Sequence, residues 1–111
     1  MSPRTLDILG GTLDVLVLRA LSFGPMHGYG VARFIRQGSG EAFRILDGAL
    51  YTSLHRMEER GWIVAEWGVT ELKRKARYYR LSTAGRAQLR ADSTRWLRYA
   101  ATLADVLSAK S

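Results

Sequence analysis

Cysteine is absent from this chain, so disulfides and thiolate metal ligands are excluded and the fold must rest on side-chain packing. Histidine occurs twice, at His27 and His55, and the two are far apart in the sequence. The one close pair of carboxylates, Glu58 and Glu59, is expected to point to different faces of a helix. These residues supply neither a nucleophile with its base nor a set of metal ligands. The sequence therefore predicts a protein that is not an enzyme and that needs no metal or cofactor.

Long uncharged apolar segments are also lacking. The first apolar segment, residues 6–21, is interrupted by charges at Asp7, Asp14 and Arg19. A membrane span needs about 18 or more uncharged apolar residues, and a secretory signal needs an unbroken apolar region. The sequence predicts no contact with a membrane and, by default, a cytoplasmic location.

Acidic residues are few relative to basic ones. Ten Asp and Glu stand against 17 Lys and Arg, which gives a net charge of +7 and a pI of about 10.4. A pI above about 9 is typical of domains that bind nucleic acids. Charge alone leaves open a basic protein with no such partner. With 111 residues, 47% of them apolar, the chain is expected to form one domain with a core of its own.

Apolar spacing predicts two helices at the start of the chain. The first covers residues 6–22, with a break at Gly10 and Gly11 and with Thr12 as the N-cap of the part that follows. It is apolar on most sides, so it is expected to be buried on more than one side. After a turn through residue 26, a second helix is predicted over residues 28–37.

A third helix and a β-hairpin follow. Asp47 is the predicted N-cap of this helix, and Gly61 ends it. Its core-facing residues are predicted to be Leu50, Leu54 and Met57. Residues 62–67 and 78–82 read as two paired strands with a basic loop, the wing, between them. This order of helices and hairpin predicts a winged helix-turn-helix, a fold that usually binds duplex DNA.

The last helix is too long to be covered by its own domain. It is predicted to begin at Thr83 as N-cap and to reach Ser108, on the order of 38 Å. Its apolar register follows a heptad, which predicts a dimer seam shared with the first helix. The predicted interface residues are Leu9, Leu13, Leu16, Leu89, Trp96, Leu103 and Leu107. The expected fold is mostly α with a small β-hairpin: residues 1–82 form the DNA-binding domain, and residues 83–111 form a dimerisation helix that makes one compact unit with the first helix.

Cations are concentrated around the second strand, where five of them fall within residues 73–80. These five cations are predicted to contact phosphates. The alternative is a charged strand edge that deters association with other sheets, but one or two lysines would suffice for that. On the third helix, the outward side chains can reach phosphates or a guanine edge, although a merely solvated polar face would look the same. Tyr29 fits a backbone contact and a core edge equally well. The predicted DNA contacts are Tyr29, Tyr51, Thr52, His55, Arg56, Lys73, Arg74, Lys75 and Arg77.

Trp96 occupies a core position of the heptad, with the small residues Ser93 and Ala100 one step on either side. Two such tryptophans related by symmetry could leave a slot for a flat apolar molecule. The alternative is that Trp96 simply fills the dimer core. These three residues are the candidate effector site.

The whole pattern resembles the PadR family of transcriptional regulators, in its short form with one C-terminal helix. The resemblance extends over residues 9–107. It is carried by the segments GTLD at 11–14, GYG at 28–30, GALYTSLHRME at 48–58, WG at 67–68 and RYYRLSTAGR at 77–86. It implies a homodimeric repressor that binds a palindromic operator through its third helices and wings, and that is released by an aromatic effector at the dimer interface near Trp96.

Two departures from the family pattern concern the operator sequence and the shape of the wing rather than the class. Ala49 and Thr52 stand where many relatives have Thr and Pro, and the wing, with Val69 and Leu72, is less polar and poorer in glycine.

The expected function is a DNA-binding transcriptional regulator, a repressor released by a small aromatic or hydrophobic molecule. A winged-helix module without effector that docks protein or RNA is the alternative. Most aromatic residues fall at apolar positions, which favours duplex DNA over RNA.

Overall fold

Four helices and five strands follow one another along residues 5–110, the part of the chain that this computed structural model describes. In chain order they are β1 (Leu6–Asp7), α1 (Thr12–Leu21), β2 (Met26–His27), α2 (Gly28–Gly38), β3 (Phe43–Arg44), α3 (Asp47–Glu59), β4 (Ile63–Val69), β5 (Lys75–Leu81) and α4 (Thr83–Leu107). The predicted class is confirmed: a mostly α winged helix-turn-helix with a small β-hairpin and one long C-terminal helix. The ends of the two predicted domains, residues 1 and 111, lie outside the described residues.

The first helix is shorter than its apolar spacing predicts. It begins at Thr12, because Gly11 precedes it in a left-handed conformation (φ 83°) that turns the chain into the helix. Thr12 is therefore the first helical residue and not the N-cap, and no side chain caps this end. The residues before the turn form β1, which pairs in parallel with β3. Leucines and isoleucines at helical spacing are thus compatible with a strand followed by a glycine turn.

The core is formed where α1, α2, α3, the hairpin and the start of α4 meet. Its most deeply buried side chains are Val17, Leu18, Leu21, Val31, Leu50, Leu54, Met57 and Ile63. The prediction that Leu50, Leu54 and Met57 face inward is confirmed. Ser53 lies on the same side of α3 and is equally buried.

The sheet is larger than predicted. β4 and β5 pair antiparallel over seven residues each, from the pair Ile63–Leu81 to the pair Val69–Lys75. The predicted strands were too short, and the basic loop between them is reduced to residues 70–74. β2, a segment predicted as part of a turn, adds a third strand on the other edge of β5. Met26 and His27 occupy this edge because Tyr79 and Tyr78 of β5 supply their backbone partners.

Two further predicted N-caps, besides Thr12, are each wrong by one residue. The cap of α4 is Ser82, whose Oγ accepts a hydrogen bond from the backbone N–H of Gly85 at 3.0 Å, and Thr83 is already helical. Asp47 is the first residue of α3, and the capping position belongs to Leu46, which has no polar side chain to donate or accept. In both helices the cap is the residue whose backbone is still extended just before the helix begins. The spacing of apolar residues carries no information about this backbone conformation.

The long helix α4 is covered by the rest of the chain along its first half alone. Leu89 is buried in the chain's own core, so its predicted place in a seam between two chains does not agree with its packing here. Trp96 packs against the edge of the same core. Every residue from 97 to 107 is exposed, and the large apolar ones are Leu97, Tyr99, Leu103, Val106 and Leu107. Within residues 5–110 no helix, α4 included, is both long and apolar enough to cross a membrane.

Candidate nucleic-acid interface

The tip of the hairpin presents three successive cations to solvent. The tip, residues 70–74, is closed by hydrogen bonds from the Thr70 N–H to the Arg74 carbonyl and from the Lys73 N–H to the Thr70 carbonyl, both 2.8 Å. Lys73 has a left-handed backbone (φ 60°), which is uncommon for a residue with a side chain. Lys73, Arg74 and the adjoining Lys75 are all exposed. The tip is therefore a short, internally bonded turn that holds these cations away from the body of the domain.

A groove of about 1230 Å³ separates the hairpin from the two helices of the helix-turn-helix. Residues from the start of α2, from α3 and from both strands of the hairpin line it. The structure brings five of the predicted DNA contacts to this groove: Tyr29, Tyr51, Arg74, Lys75 and Arg77. Residues more than 40 positions apart in the sequence thus share one surface with a cationic wall.

Three close contacts fix the first turn of α2 against α3 and the hairpin. A β-carbon on Gly28 would lie 2.8 Å from the hydroxyl of Tyr51, so the Tyr51 ring can lie directly on the first turn of α2. His27 caps the same turn, because its Nδ1 accepts a hydrogen bond from the Gly30 N–H at 3.0 Å. Its ring meets the Tyr78 ring edge to face, with centroids 5.4 Å apart. These contacts set the entry of α2 relative to α3 and leave Tyr29 and Tyr51 each more than half exposed.

Three of the predicted DNA contacts have a carboxylate partner within the chain: Arg77, His55 and, on the other side of α3, Arg56. Arg77 of β5 donates to a Glu58 carboxylate oxygen of α3 at 3.1 Å, and His55 lies 2.9 Å from the carboxylate of Glu59, one turn along the same helix. The two glutamates face different partners, as expected for neighbouring residues of a helix. Arg77 and His55 keep side-chain exposures of 45% and 72%, so both pairs are in the class whose net stabilisation is small. A phosphate can therefore compete with Glu58 for the Arg77 guanidinium.

Tyr79 lies near the Arg77–Glu58 ion pair and is buried in the core. Burial raises the pKa of its phenol above the ordinary value. The Arg77 guanidinium opposes this rise in pKa, and Glu58 and Tyr51 add to it. Tyr79 is therefore neutral at physiological pH, and its side chain packs the hairpin against the core.

Thr52 and Arg56 lie on the other side of α3. They line a second cleft, of about 740 Å³, between α3 and the segment before α1. The Arg56 guanidinium donates to the carboxylate of Asp14 in α1 at 2.5 Å. The prediction that treats Arg56 as an outward cation does not foresee this partner. The sequence contains no local signal for it, because Asp14 and Arg56 are brought together only by the packing of α1 on α3.

Trp67 is a groove residue that the sequence analysis does not assign to the site. It lies on β4 directly opposite Arg77, and it is 72% exposed. Strand alternation places it on the same face as Ile63, which is buried. The hairpin extends beyond the body of the domain at this point, so a face that is core at Ile63 becomes groove wall at Trp67. The predicted strand ends at Trp67, so the sequence pattern does not show that the hairpin continues past this residue.

Of the candidate effector residues, Trp96 lies at the start of α1. The Trp96 ring packs on Gly11, with its Cζ2 atom 3.6 Å from where a β-carbon would stand, and meets the Tyr99 ring edge to face at 5.9 Å. The Trp96 Nε1 is buried and has no hydrogen-bond acceptor among residues 5–110. Ser93 is half-buried and Ala100 is exposed. Elsewhere in the described chain, no three His, Asp or Glu side chains cluster closely enough to hold a metal ion.

Comparison with known proteins supplies the class of this fold and site. The model of the PadR-like family of transcriptional regulators matches residues 17–91, which span α2, α3, the hairpin and parts of α1 and α4. This chain belongs to the PadR-like family. The prediction of a PadR-type transcriptional regulator is thereby confirmed, and the family is one of regulators and not of enzymes.

Relatives of this PadR-like regulator agree in sequence and in fold. Transcriptional regulator Rv3488 of Mycobacterium tuberculosis is 36% identical over 76 residues, which cover 68% of this chain and 67% of that protein. A PadR family transcriptional regulator from Eggerthella lenta superposes with a TM-score of 0.74 at 27% identity, over 90% of this chain and 85% of the other. Bacillus subtilis PadR in complex with operator DNA shares the fold, with a TM-score of 0.64 at 21% identity, over 78% of this chain and 47% of the other.

Proposed function

We propose that this PadR-family protein is a cytoplasmic homodimer that binds a double-stranded DNA operator. The observation that carries the proposal is the groove, with the cationic tip on one side and the exposed face of α3 on the other. In this proposal α3 enters the major groove and the hairpin tip contacts the adjoining backbone. A structural relative, Bacillus subtilis PadR, has been seen bound to operator DNA, which supports this reading of the groove.

The charges of the tip are available to phosphates. Among the described residues, none of the six salt bridges involves Lys73, Arg74 or Lys75. In a dimer the tip occurs twice, so about six to ten phosphate contacts require only modest help from α2 and α3. About that many contacts would cost roughly 10³–10⁵ in affinity between 50 and 200 mM salt.

Dimerisation is proposed to use the exposed half of α4. An apolar face of this size on a charged chain is typical of a surface that a partner covers. Two of its residues, Leu103 and Leu107, follow the heptad spacing of a helix that packs on another helix. In this proposal residues 1–82 bind DNA, and residues 83–111 pair with the same segment of a second copy together with α1. Two copies should then hold their α3 helices about 34 Å apart, one turn of the duplex.

The proposed regulation is repression that a small aromatic or hydrophobic effector relieves. Trp96, Ser93 and Ala100 would form the site between the last helices of two copies. The support is the position of Trp96 where the covered half of α4 meets the exposed half, with the small residues Ser93 and Ala100 one heptad step on either side. An effector can release DNA only by binding more tightly to the conformation that does not fit the operator.

Electrophoretic mobility of the DNA fragment upstream of the protein's own gene tests the DNA-binding proposal. Retardation should weaken steeply with salt and should survive an excess of single-stranded RNA. Arg74→Gln should reduce the affinity for every duplex tested, whereas Arg98→Gln removes the same charge from the exposed part of α4 and should have little effect. Affinity that is indifferent to salt, or that RNA abolishes, would contradict the proposal.

Sedimentation tests the dimer. Leu103→Asp places a charge on the heptad face of α4 and should yield a single subunit at micromolar concentration. Ala101→Asp adds the same charge to another exposed position of the helix and should leave the dimer intact. A wild-type protein that sediments as a single subunit without DNA would contradict the proposed assembly.

An aromatic probe tests the effector site. The dye 8-anilinonaphthalene-1-sulfonate should increase its emission on binding to the dimer and weaken DNA retardation. Trp96→Ala should abolish the dye response without dissolving the dimer, and Trp67→Phe, on the hairpin, should leave it unchanged. An unaltered dye affinity in Trp96→Ala would eliminate this site.

A further inference from the structure

Asp14 joins the first turn of α1 to the proposed reading helix α3. Its Oδ1 atom accepts hydrogen bonds from the Ser53 hydroxyl at 2.6 Å and from the Arg56 guanidinium at 2.5 Å. Both donors are on α3, one turn apart. One carboxylate oxygen of α1 therefore accepts hydrogen bonds from two polar side chains on the same side of α3.

Burial distinguishes this contact from the surface ion pairs of the chain. The Asp14 side chain is 15% exposed and Ser53 is 1% exposed, while Arg56 keeps 40% of its side chain in solvent. Charge-assisted hydrogen bonds in such surroundings are stronger than exposed ones. A carboxylate left without donors at this depth would be costly. The geometry therefore favours a single arrangement of Arg56 on α3.

The exposed part of Arg56 remains available for DNA. A guanidinium has five N–H donors in a fixed plane, and Asp14 engages it through one nitrogen, Nη2. Arg56 lines the cleft next to α3 together with Thr52. A guanidinium with a fixed plane can meet a guanine edge in bidentate fashion, and it loses less conformational freedom on binding than a free one.

We propose that Asp14 is the positioning residue of this regulator: it orients Arg56 so that α3 discriminates among DNA sequences. This inference rests on the proposed DNA-binding function and deepens it. Asp14 does not touch DNA in this role. It acts through Arg56 and Ser53, and its effect is on the choice of sequence more than on the general attraction to phosphates.

A purely structural role makes a different prediction. Asp14 also lies in the first turn of α1, where a carboxylate stabilises the helix N-terminus. If that were its whole role, its loss would lower the stability of the fold and would weaken binding to every duplex alike. A change in sequence discrimination that depends on Arg56 separates the two roles.

The test compares the affinity for a duplex that wild-type protein enriches from a random-sequence pool with the affinity for an unrelated duplex of equal length. Asp14→Asn should reduce the ratio of the two affinities by about 10-fold, with the affinity for the unrelated duplex unchanged or higher. The matched control is Asp92→Asn on α4. Asp92 is 14% exposed, accepts from Gln88 and Arg95, and loses the same charge. It should leave the ratio as in wild type.

A double-mutant cycle then assigns the effect to Arg56. Arg56→Gln should itself reduce the ratio, and adding Asp14→Asn to it should change the ratio by less than about 2-fold. An unchanged ratio in Asp14→Asn, or full additivity with Arg56→Gln, would overturn the inference while DNA binding stands. If Asp14→Asn does not fold, Asp14→Glu, which keeps the charge and displaces the carboxylate, must lower the ratio, and an unchanged ratio again overturns the inference. A wild-type protein that enriches no duplex would overturn the proposed function and this inference together.

Discussion

A β-carbon on Gly85 would lie 1.9 Å from the carbonyl oxygen of Trp62, so the first turn of α4 packs directly on the backbone that leads into β4. The Ser82 N–H donates to the same carbonyl at 3.0 Å. The Ser82 hydroxyl donates to the carbonyl of Gly61 at 2.5 Å. This joint sets the direction in which α4 leaves the hairpin, and through it the position of the exposed half of α4 relative to the groove.

Gly85→Ala should lower the free energy of unfolding by roughly 1–3 kcal/mol or more, because the added methyl collides with backbone that cannot move away independently. Urea unfolding measures the change. Gly38→Ala in α2 is the matched control, since its added β-carbon meets no atom within 4 Å. That control should be neutral or mildly stabilising. Equal stabilities of the two variants would contradict the close packing at Gly85.

Ser82→Ala should lower the free energy of unfolding by about 1 kcal/mol, because it removes the side-chain cap of α4. Thr83→Ala, at the adjacent position that the sequence pattern favours as the cap, should change it by less than about 0.5 kcal/mol. Thermal unfolding of the two variants measures the difference. A larger loss in Thr83→Ala than in Ser82→Ala would show that Ser82 is not the cap.

Lys73→Gly should reduce DNA affinity and the salt dependence of binding without a loss of stability. The variant removes one cation from the tip, which should lower the salt slope by about 1 if that cation neutralises one phosphate. Glycine also adopts the left-handed backbone of this position without strain. Lys75→Gly removes the same charge from a strand and should cost roughly 0.5–1 kcal/mol of stability. Fluorescence anisotropy with a duplex and urea unfolding separate the two effects; equal losses of stability in the two variants would contradict the left-handed backbone at Lys73.

Tyr79→Phe should flatten the alkaline limb of the stability profile. The folded-state pKa of Tyr79 is raised, mainly by burial, so its stabilising contribution is fully present below the unfolded-state pKa, about 10. That contribution is lost as pH rises through the higher folded-state pKa. Wild type should therefore lose more stability than Tyr79→Phe above about pH 10. Tyr29→Phe, at an exposed position of α2, is the control in urea unfolding across this range. Parallel profiles for wild type and Tyr79→Phe would contradict the prediction.

Much of the helical framework could be predicted from local patterns. The inward positions of α3 follow from the spacing of Leu50, Leu54 and Met57, and Gly61 with its positive φ of 76° ends that helical segment as expected. The long last helix is predicted by the heptad spacing of its apolar residues. These features depend on interactions among residues close in sequence, which is why periodicity reports them.

Other features depend on partners distant in the chain. β2 becomes a strand because β5 offers it a free edge, and the hairpin extends to Val69 and Lys75 because the two strands supply each other's hydrogen bonds. Neither β2 nor the added ends of the hairpin, residues 68–69 and 75–77, has a strong strand pattern of its own. The N-cap at Ser82 likewise depends on the backbone of residues 61 and 62, which lie about 20 positions earlier.

The order of residues alone establishes a basic winged helix-turn-helix with a long apolar last helix, because charge balance and hydrophobic period are local properties of the chain. Tertiary packing decides which cations meet a carboxylate of another helix or strand. Arg56 meets Asp14 and Arg77 meets Glu58, while the three cations at the tip project beyond the reach of the body's carboxylates. The physical reason is that an ion pair requires two side chains within about 4 Å, and only the folded chain brings residues 42 or 19 positions apart to that distance.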